Sequence, residues 1–264
     1  MGILPIPRTH PVGGMGIPPR RSYRHPAKIV YKISGKKLET TINSQLFSNF
    51  AKSFHIKMKT IYNKFDKSII NSLPLVDFQG RITVVLNESE ADRAVDYLLT
   101  CDVLGVDTET RPAFRRGQNH KVALLQVATH DQCFLFRLNH IGLPDSLVRL
   151  LSNKLVPMIG LSWHDDLLSL HRRREFEPGW FIDIQDIIGN IGVEDKSLQK
   201  LYANLFGEKI SKRQRLTNWE ADVLTDKQKE YAAIDAWACI KLYNEIMQLM
   251  ATRDYELKIV QEEE

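Results

Sequence analysis

The apolar run Val103-Leu104-Gly105-Val106 passes directly into Asp107-Thr108-Glu109. An unbroken run of this kind reads as a strand buried on both faces, at the centre of a sheet that other elements cover. Side chains two apart on a strand share a face. Asp107 and Glu109 therefore emerge side by side at the end of a buried element. Like charges there are costly unless a cation neutralises them. For the pair alone, a solvated strand end is the plain alternative.

The surrounding pattern agrees with a covered sheet. Arg81 to Leu86 reads as a strand, and Ser89 is placed to cap a helix through Leu99 with Ala91, Ala94, Val95 and Leu98 on one face. Val122–Ala128 and Cys133–Leu138 read as strands joined by a turn at Thr129-His130-Asp131-Gln132. A helix at 145–152, a strand from Val156 to Gly160, a helix at about 164–174 and a short extended piece, Phe181-Ile182-Asp183, follow. Ser197 caps a helix that Gly207 ends, and Thr225 with Gln228 opens a long helix over about 226–250 in a capping-box pattern. Strand, helix, three strands and then alternation imply an α/β, three-layer fold with a mixed central β-sheet flanked by helices.

Charge is unevenly spread. Residues 1–57 hold ten Lys and Arg against one acid, Glu39, so the rest of the chain is net acidic although the total is +4. The expected domains are a basic tail over 1–57, disordered through its Pro, Gly and Arg content, a folded domain over 58–255, and a charged C-terminal tail over 256–264. Within the first segment Ile29 to Ile33 could form a short strand. Two readings of this segment stand open: a basic arm for nucleic acid, or an upstream stretch with translation starting at Met58. The three cysteines, Cys101, Cys133 and Cys239, are far apart, which argues against a disulfide framework or zinc-thiolate site and fits a reducing cytoplasm. No run of about 18 apolar residues is present, so no transmembrane helix and no membrane partner are expected.

Two further carboxylate clusters matter. Asp165-Asp166 follows Trp163-His164 at the start of a helix, where the dipole favours anions and where capping alone would suffice. Tyr231 and Asp235 lie four apart and share a helix face; alone they read as an ordinary amphipathic helix. Together, three clusters at element ends or on one helix face can converge on a pair of divalent cations suited to in-line phosphodiester hydrolysis. Oxygen-only ligands point to Mg²⁺ or Mn²⁺.

The order Asp-x-Glu, Asp, Tyr-x-x-x-Asp resembles the DEDD superfamily of 3′–5′ exonucleases in its tyrosine subclass, which includes ribonuclease D and the exonuclease domain of the Werner syndrome protein. The resemblance covers about residues 80–250. It implies a ribonuclease H-like fold, two bound divalent cations, and hydrolysis at the free 3′ end of DNA or RNA with release of nucleoside monophosphates. Asp107, Glu109, Asp166 and Asp235 correspond to the metal ligands. Asp166 is preferred over Asp165 because an apolar residue, Leu170, follows it by four. Tyr231 corresponds to the residue that positions or deprotonates the attacking water. A phenol pKa near 10 favours positioning. The histidine subclass would need a His at position 230, which is Glu230. Many members carry Arg-Pro where this chain has Asp222-Val223.

Candidate substrate contacts are Thr108, Arg115, Trp163, Lys212, Arg213 and Arg215, with Lys209, Arg111, Arg116 and Phe114 nearby. Solvated basic loops and core aromatics are the plain alternatives. Gln126, inside an apolar strand, needs a hydrogen-bond partner. Two other functions stay open: a catalytically weak nucleic-acid-binding module of the same fold, and a non-nuclease phosphoesterase or scaffold.

Overall fold

Two faces of one sheet divide the apolar side chains. In the computed structural model, which describes residues 58–115, 117–261 and the backbone of 30–33 and 36–39, this sheet has six strands. They are β4 (Arg81–Val85), β5 (Leu104–Thr110), β6 (Val122–Ala128), β7 (Gln132–Arg137), β8 (Met158–Gly160) and β9 (Phe181–Asp183), in the order β4-β7-β6-β5-β8-β9. The β5–β6 and β6–β7 pairs are antiparallel and the other three are parallel, so the sheet is mixed. β5 lies inside it, as its apolar run demands.

One face carries Val106, Leu125, Val127 and Phe136 against helices α2 (Glu88–Leu98), α4 (Asp145–Leu151) and α5 (Trp163–His171). The other carries Leu124, Ala128, Leu135 and Ile159 against α7 (Leu198–Phe206) and the long α8 (Asp226–Thr252). Short helices α1 (Lys67–Ile70), α3 (Leu138–Ile141) and α6 (Ile184–Ile187) lie between these elements. The three-layer α/β architecture stands as expected.

Several local details differ. Asn87, not Ser89, caps α2, because its side chain accepts from the Glu90 amide. The carboxylate of Asp183 accepts from the amides of Ser162 (3.0 Å) and Trp163 (2.8 Å), so the start of α5 is closed by β9 and not by Asp165 or Asp166. The capping box of α8 is present at Thr225 and Gln228.

The C-terminal boundary also moves. Tyr255–Lys258 forms β10, which pairs in parallel with β3 (Lys59–Tyr62). A tail beginning at 256 would cut this strand. Its Leu257 packs on the core, which a charge-based reading of the sequence overlooks. Asn204, buried in α7, donates to the Tyr62 carbonyl (2.7 Å) and accepts from its amide (2.9 Å), fixing β3 in place.

Residues 1–57 and 58–264 are separate units. In the first, β1 (Val30–Ile33) and β2 (Lys36–Glu39) pair antiparallel, so the strand expected at 29–33 has a partner. The disorder expected for the rest of that segment lies outside the described residues. Among the described residues, no helix is long and apolar enough to cross a membrane.

Candidate active site

Glycine decides where the site forms. A Cβ on Gly105 would lie 2.0 Å from the carbonyl oxygen of Ala236, so only glycine lets α8 settle onto β5. That contact brings Asp235, the residue before Ala236, beside the strand end. Carboxylate oxygens of Asp107, Glu109 and Asp235 lie within 4.8 Å of one another. Glu109 and Asp235 are buried and Asp107 is half-buried.

The fourth carboxylate arrives from the opposite side. Thr108 points away from Asp107 and Glu109, and its hydroxyl donates to the Asp166 carboxylate at the start of α5. Asp166 is half-buried, whereas Asp165 is exposed. The structure thus brings Asp166, the preferred aspartate, to the site.

Crowding and burial make these acids slow to give up their protons. Asp107 is raised well above the carboxylate range by burial, then by Asp235, Glu109 and Asp166. Burial, then Asp235 and Asp166, push Glu109 up to about 9, while Arg215 opposes the shift. Burial pushes Asp235 up to about 7, against the Tyr231 hydroxyl and Lys212. Asp166 is raised to about 6, again chiefly by burial, with the Thr108 hydroxyl opposing. Such a cluster is a strong electrostatic trap for a cation, because a divalent ion among the carboxylates relieves these repulsions together. Tyr231 hydrogen-bonds Asp235, and burial followed by the Asp235 charge moves its phenol far above the ordinary range. It cannot serve as a base near neutrality.

The other candidates divide. Lys212 and Arg215 stand near enough to act electrostatically on Asp235 and Glu109. Arg213 lines a cavity of about 490 Å³ beside Tyr231. Arg115 and Phe114 are exposed. Arg116 lies outside the described residues. Four of the residues read as candidate substrate contacts have partners within the protein. Trp163 is 2% exposed and stacks on Phe181 (5.6 Å) over Gly160, so it is core. Thr108 is committed to Asp166. Lys209 donates to the Asn71 carbonyl, and Arg111 pairs with Glu220.

Around the motifs, the sequence alone singles out Gln126 as a polar residue in an apolar strand, but not Arg137. Gln126 lies directly across from Asp107, fully buried, with neither side-chain polar atom hydrogen-bonded. At the departure Asp222-Val223, a guanidinium is still supplied: buried Arg137, at the end of β7, donates to the carbonyls of Ala221 and Asp222 (3.3 Å to the latter). An arginine ending an otherwise apolar strand was the available signal.

A mixed sheet carrying an acidic trap between its central strand and a long helix defines a class of metal-using hydrolases, and the comparisons narrow it. The 3′–5′ exonuclease family profile matches residues 82–251, and the chain belongs to that family. A 3′–5′ exonuclease of Arabidopsis thaliana is 30% identical over 212 residues, covering 74% of each chain. The mouse bifunctional 3′–5′ exonuclease/ATP-dependent helicase WRN is 28% identical over 191 residues, which are 68% of this chain and 14% of that protein. The chain thus spans a small part of the mouse relative. Among solved structures, the EXO domain of Aedes aegypti Nibbler superposes with a TM-score of 0.60 at 18% identity, covering 70% of this chain and 94% of that one. Escherichia coli RNase D superposes with a TM-score of 0.57 at 19% identity, covering 67% and 52%. The ribonuclease H-like fold expected from the motifs agrees with these neighbours.

Proposed function

We propose that this 3′–5′ exonuclease hydrolyses the terminal phosphodiester with two divalent cations, Mg²⁺ or Mn²⁺, and belongs to the tyrosine subclass. The observation that carries this reading is the convergence of Asp107, Glu109 and Asp235, with Asp166 beside them. An all-carboxylate donor set fits hard, oxygen-preferring cations. Asp107, Glu109, Asp166 and Asp235 would hold them, and the bound cations would supply an activated water and neutralise charge on the leaving 3′ oxygen. The chain's own residues do the rest. Thr108 orients Asp166 through its hydroxyl. Tyr231, fixed to Asp235, orients the attacking water and keeps its own proton. Lys212 and Arg215 attract the phosphate backbone toward the acids, which makes binding fall with salt.

The substrate is the free 3′ end of a DNA or RNA strand. One solved RNase D from Trypanosoma brucei is a complex with RNA U12 and another a complex with GMP. These support nucleic acid as the partner and a nucleoside monophosphate as the product. The three cysteines are free thiols, which suits a reducing compartment such as the cytoplasm.

The test uses 5′-labelled DNA and RNA oligonucleotides with Mg²⁺, Mn²⁺ or chelator. A ladder shortening by single nucleotides, only with metal and at least about 10³-fold slower in Asp107→Ala, is the expected result. Binding without any ladder would favour the catalytically weak binding module.

A further inference from the structure

The loop between β5 and β6 leaves the carboxylate strand after Thr110 and returns at Val122. One side chain holds both of its ends. Glu220 accepts from Arg111 Nη1 at 3.2 Å through Oε2, and its Oε1 lies 3.1 Å from His120 Nδ1. The His120 side chain is 12% exposed, so the returning end is tucked in, while Arg111 is 44% exposed.

Glu220 itself stands on a fixed platform. Its amide donates to Asn218 Oδ1 (3.1 Å) and its carbonyl accepts from Asn139 Nδ2 (3.4 Å). The next two carbonyls take the buried guanidinium of Arg137. On its other side, fully buried Trp219 packs 6.0 Å from the Tyr231 ring. The Asn218 carbonyl accepts from Gln228 in the first turn of α8 (3.3 Å). Glu220 thus ties the loop that follows Asp107 and Glu109 to the lead-in of the helix that carries Tyr231 and Asp235. Ion pairs this exposed add little to stability; what this one fixes is position.

Between its tethered ends the loop presents Phe114, 79% exposed. Across a cavity of about 150 Å³, the segment before α8 presents Leu216, 64% exposed. Two large apolar side chains held open to water beside a polyanion-hydrolysing site fit the flat, apolar faces of nucleobases.

We propose that Glu220 is a positioning residue: by latching both ends of the 111–120 loop, it holds Phe114 opposite Leu216 as a pair of apolar jaws that grip the bases of the substrate strand. This rests on the exonuclease reading above. The latch is tested in two ways. First, the affinity for a labelled single-stranded oligonucleotide is measured in chelator, and KM and kcat in Mg²⁺. Glu220→Ala and Phe114→Ala each weaken binding and raise KM about tenfold, the scale of one lost base stack, with kcat within about threefold. The double variant is no worse than either single one, since both remove the same grip. Arg111→Met frees one end with the platform intact and gives the same direction if Glu220→Ala fails to fold. Second, trypsin cleavage after Arg115 accelerates in Glu220→Ala and Arg111→Met, and not in Phe114→Ala. Unchanged KM and affinity, additive losses, or a fall in kcat alone would each overturn the proposal. If the wild type degrades no oligonucleotide, the exonuclease reading falls, while the Arg115 cleavage rates still judge the latch.

Discussion

Glu109, Asp235 and Asp166 hold protons that the unfolded chain releases near pH 4, with values raised to about 9, about 7 and about 6. A folded state that keeps protons longer than the unfolded one loses stability as pH rises. In chelator, therefore, Tm falls from about pH 4 to about pH 9. Divalent cations favour the ionised carboxylates, so Mg²⁺ flattens that slope and raises Tm most at alkaline pH. Asp235→Asn melts higher than wild type at about pH 8 in chelator and responds little to Mg²⁺. Thermal melts across pH, with and without metal, check both statements, and a level profile in chelator would refute them. Tyr231→Phe removes a hydroxyl that orients and does not titrate. Its kcat falls by about 10²-fold with the Mg²⁺-induced Tm rise retained, measured in single-turnover assays. The residues of the acidic cluster were legible because local periods place them: two along a strand for Asp107 and Glu109, four along a helix for Tyr231 and Asp235. Glu220 and Arg137 were not, since their partners lie far along the chain and no local period points to them; Gln126 stood out as a polar residue in an apolar strand, but nothing local placed it across from Asp107.

At the level of elements, the site depends on how closely α8 approaches β5. Gly105→Ala would drive a methyl group into the Ala236 carbonyl, a backbone atom that cannot rotate away. Overpacking of this kind costs about 1–3 kcal/mol. The helix must lift, taking Asp235 with it. The variant is expected to fold with a lower Tm and to lose most metal-dependent activity, although no carboxylate has changed. Wild-type Mg²⁺ response in that variant would count against the account. The buried strand and the long capped helix were readable because each satisfies its own local pattern. The start of α2 was misread because Asn87 and Ser89 both offer a capping oxygen two positions apart. Trp163 looked like a stacking residue next to an acidic pair, but Gly160 and Phe181 enclose it.

Over the whole molecule, the ends of the folded unit close on each other. β3 and β10 pair at opposite ends of residues 58–258, and Asn204 clips the first of them from α7. Asn204→Ala strands a half-buried amide and carbonyl of Tyr62. It is expected to cost about 1–3 kcal/mol, visible as a lower urea midpoint with little change in kcat. A cost spread to kcat would mean that the clip also shapes the site. No composition-based boundary finds this pairing, because Tyr255–Lys258 is short and half charged. The seat of α8 on Gly105 has one more consequence, for synthesis on the ribosome. Asp107 and Glu109 emerge well before Tyr231 and Asp235, which follow more than a hundred residues later. Until α8 is made and docks on Gly105, a nascent chain holds only part of the acidic cluster, so hydrolysis that needs all four carboxylates waits for that step.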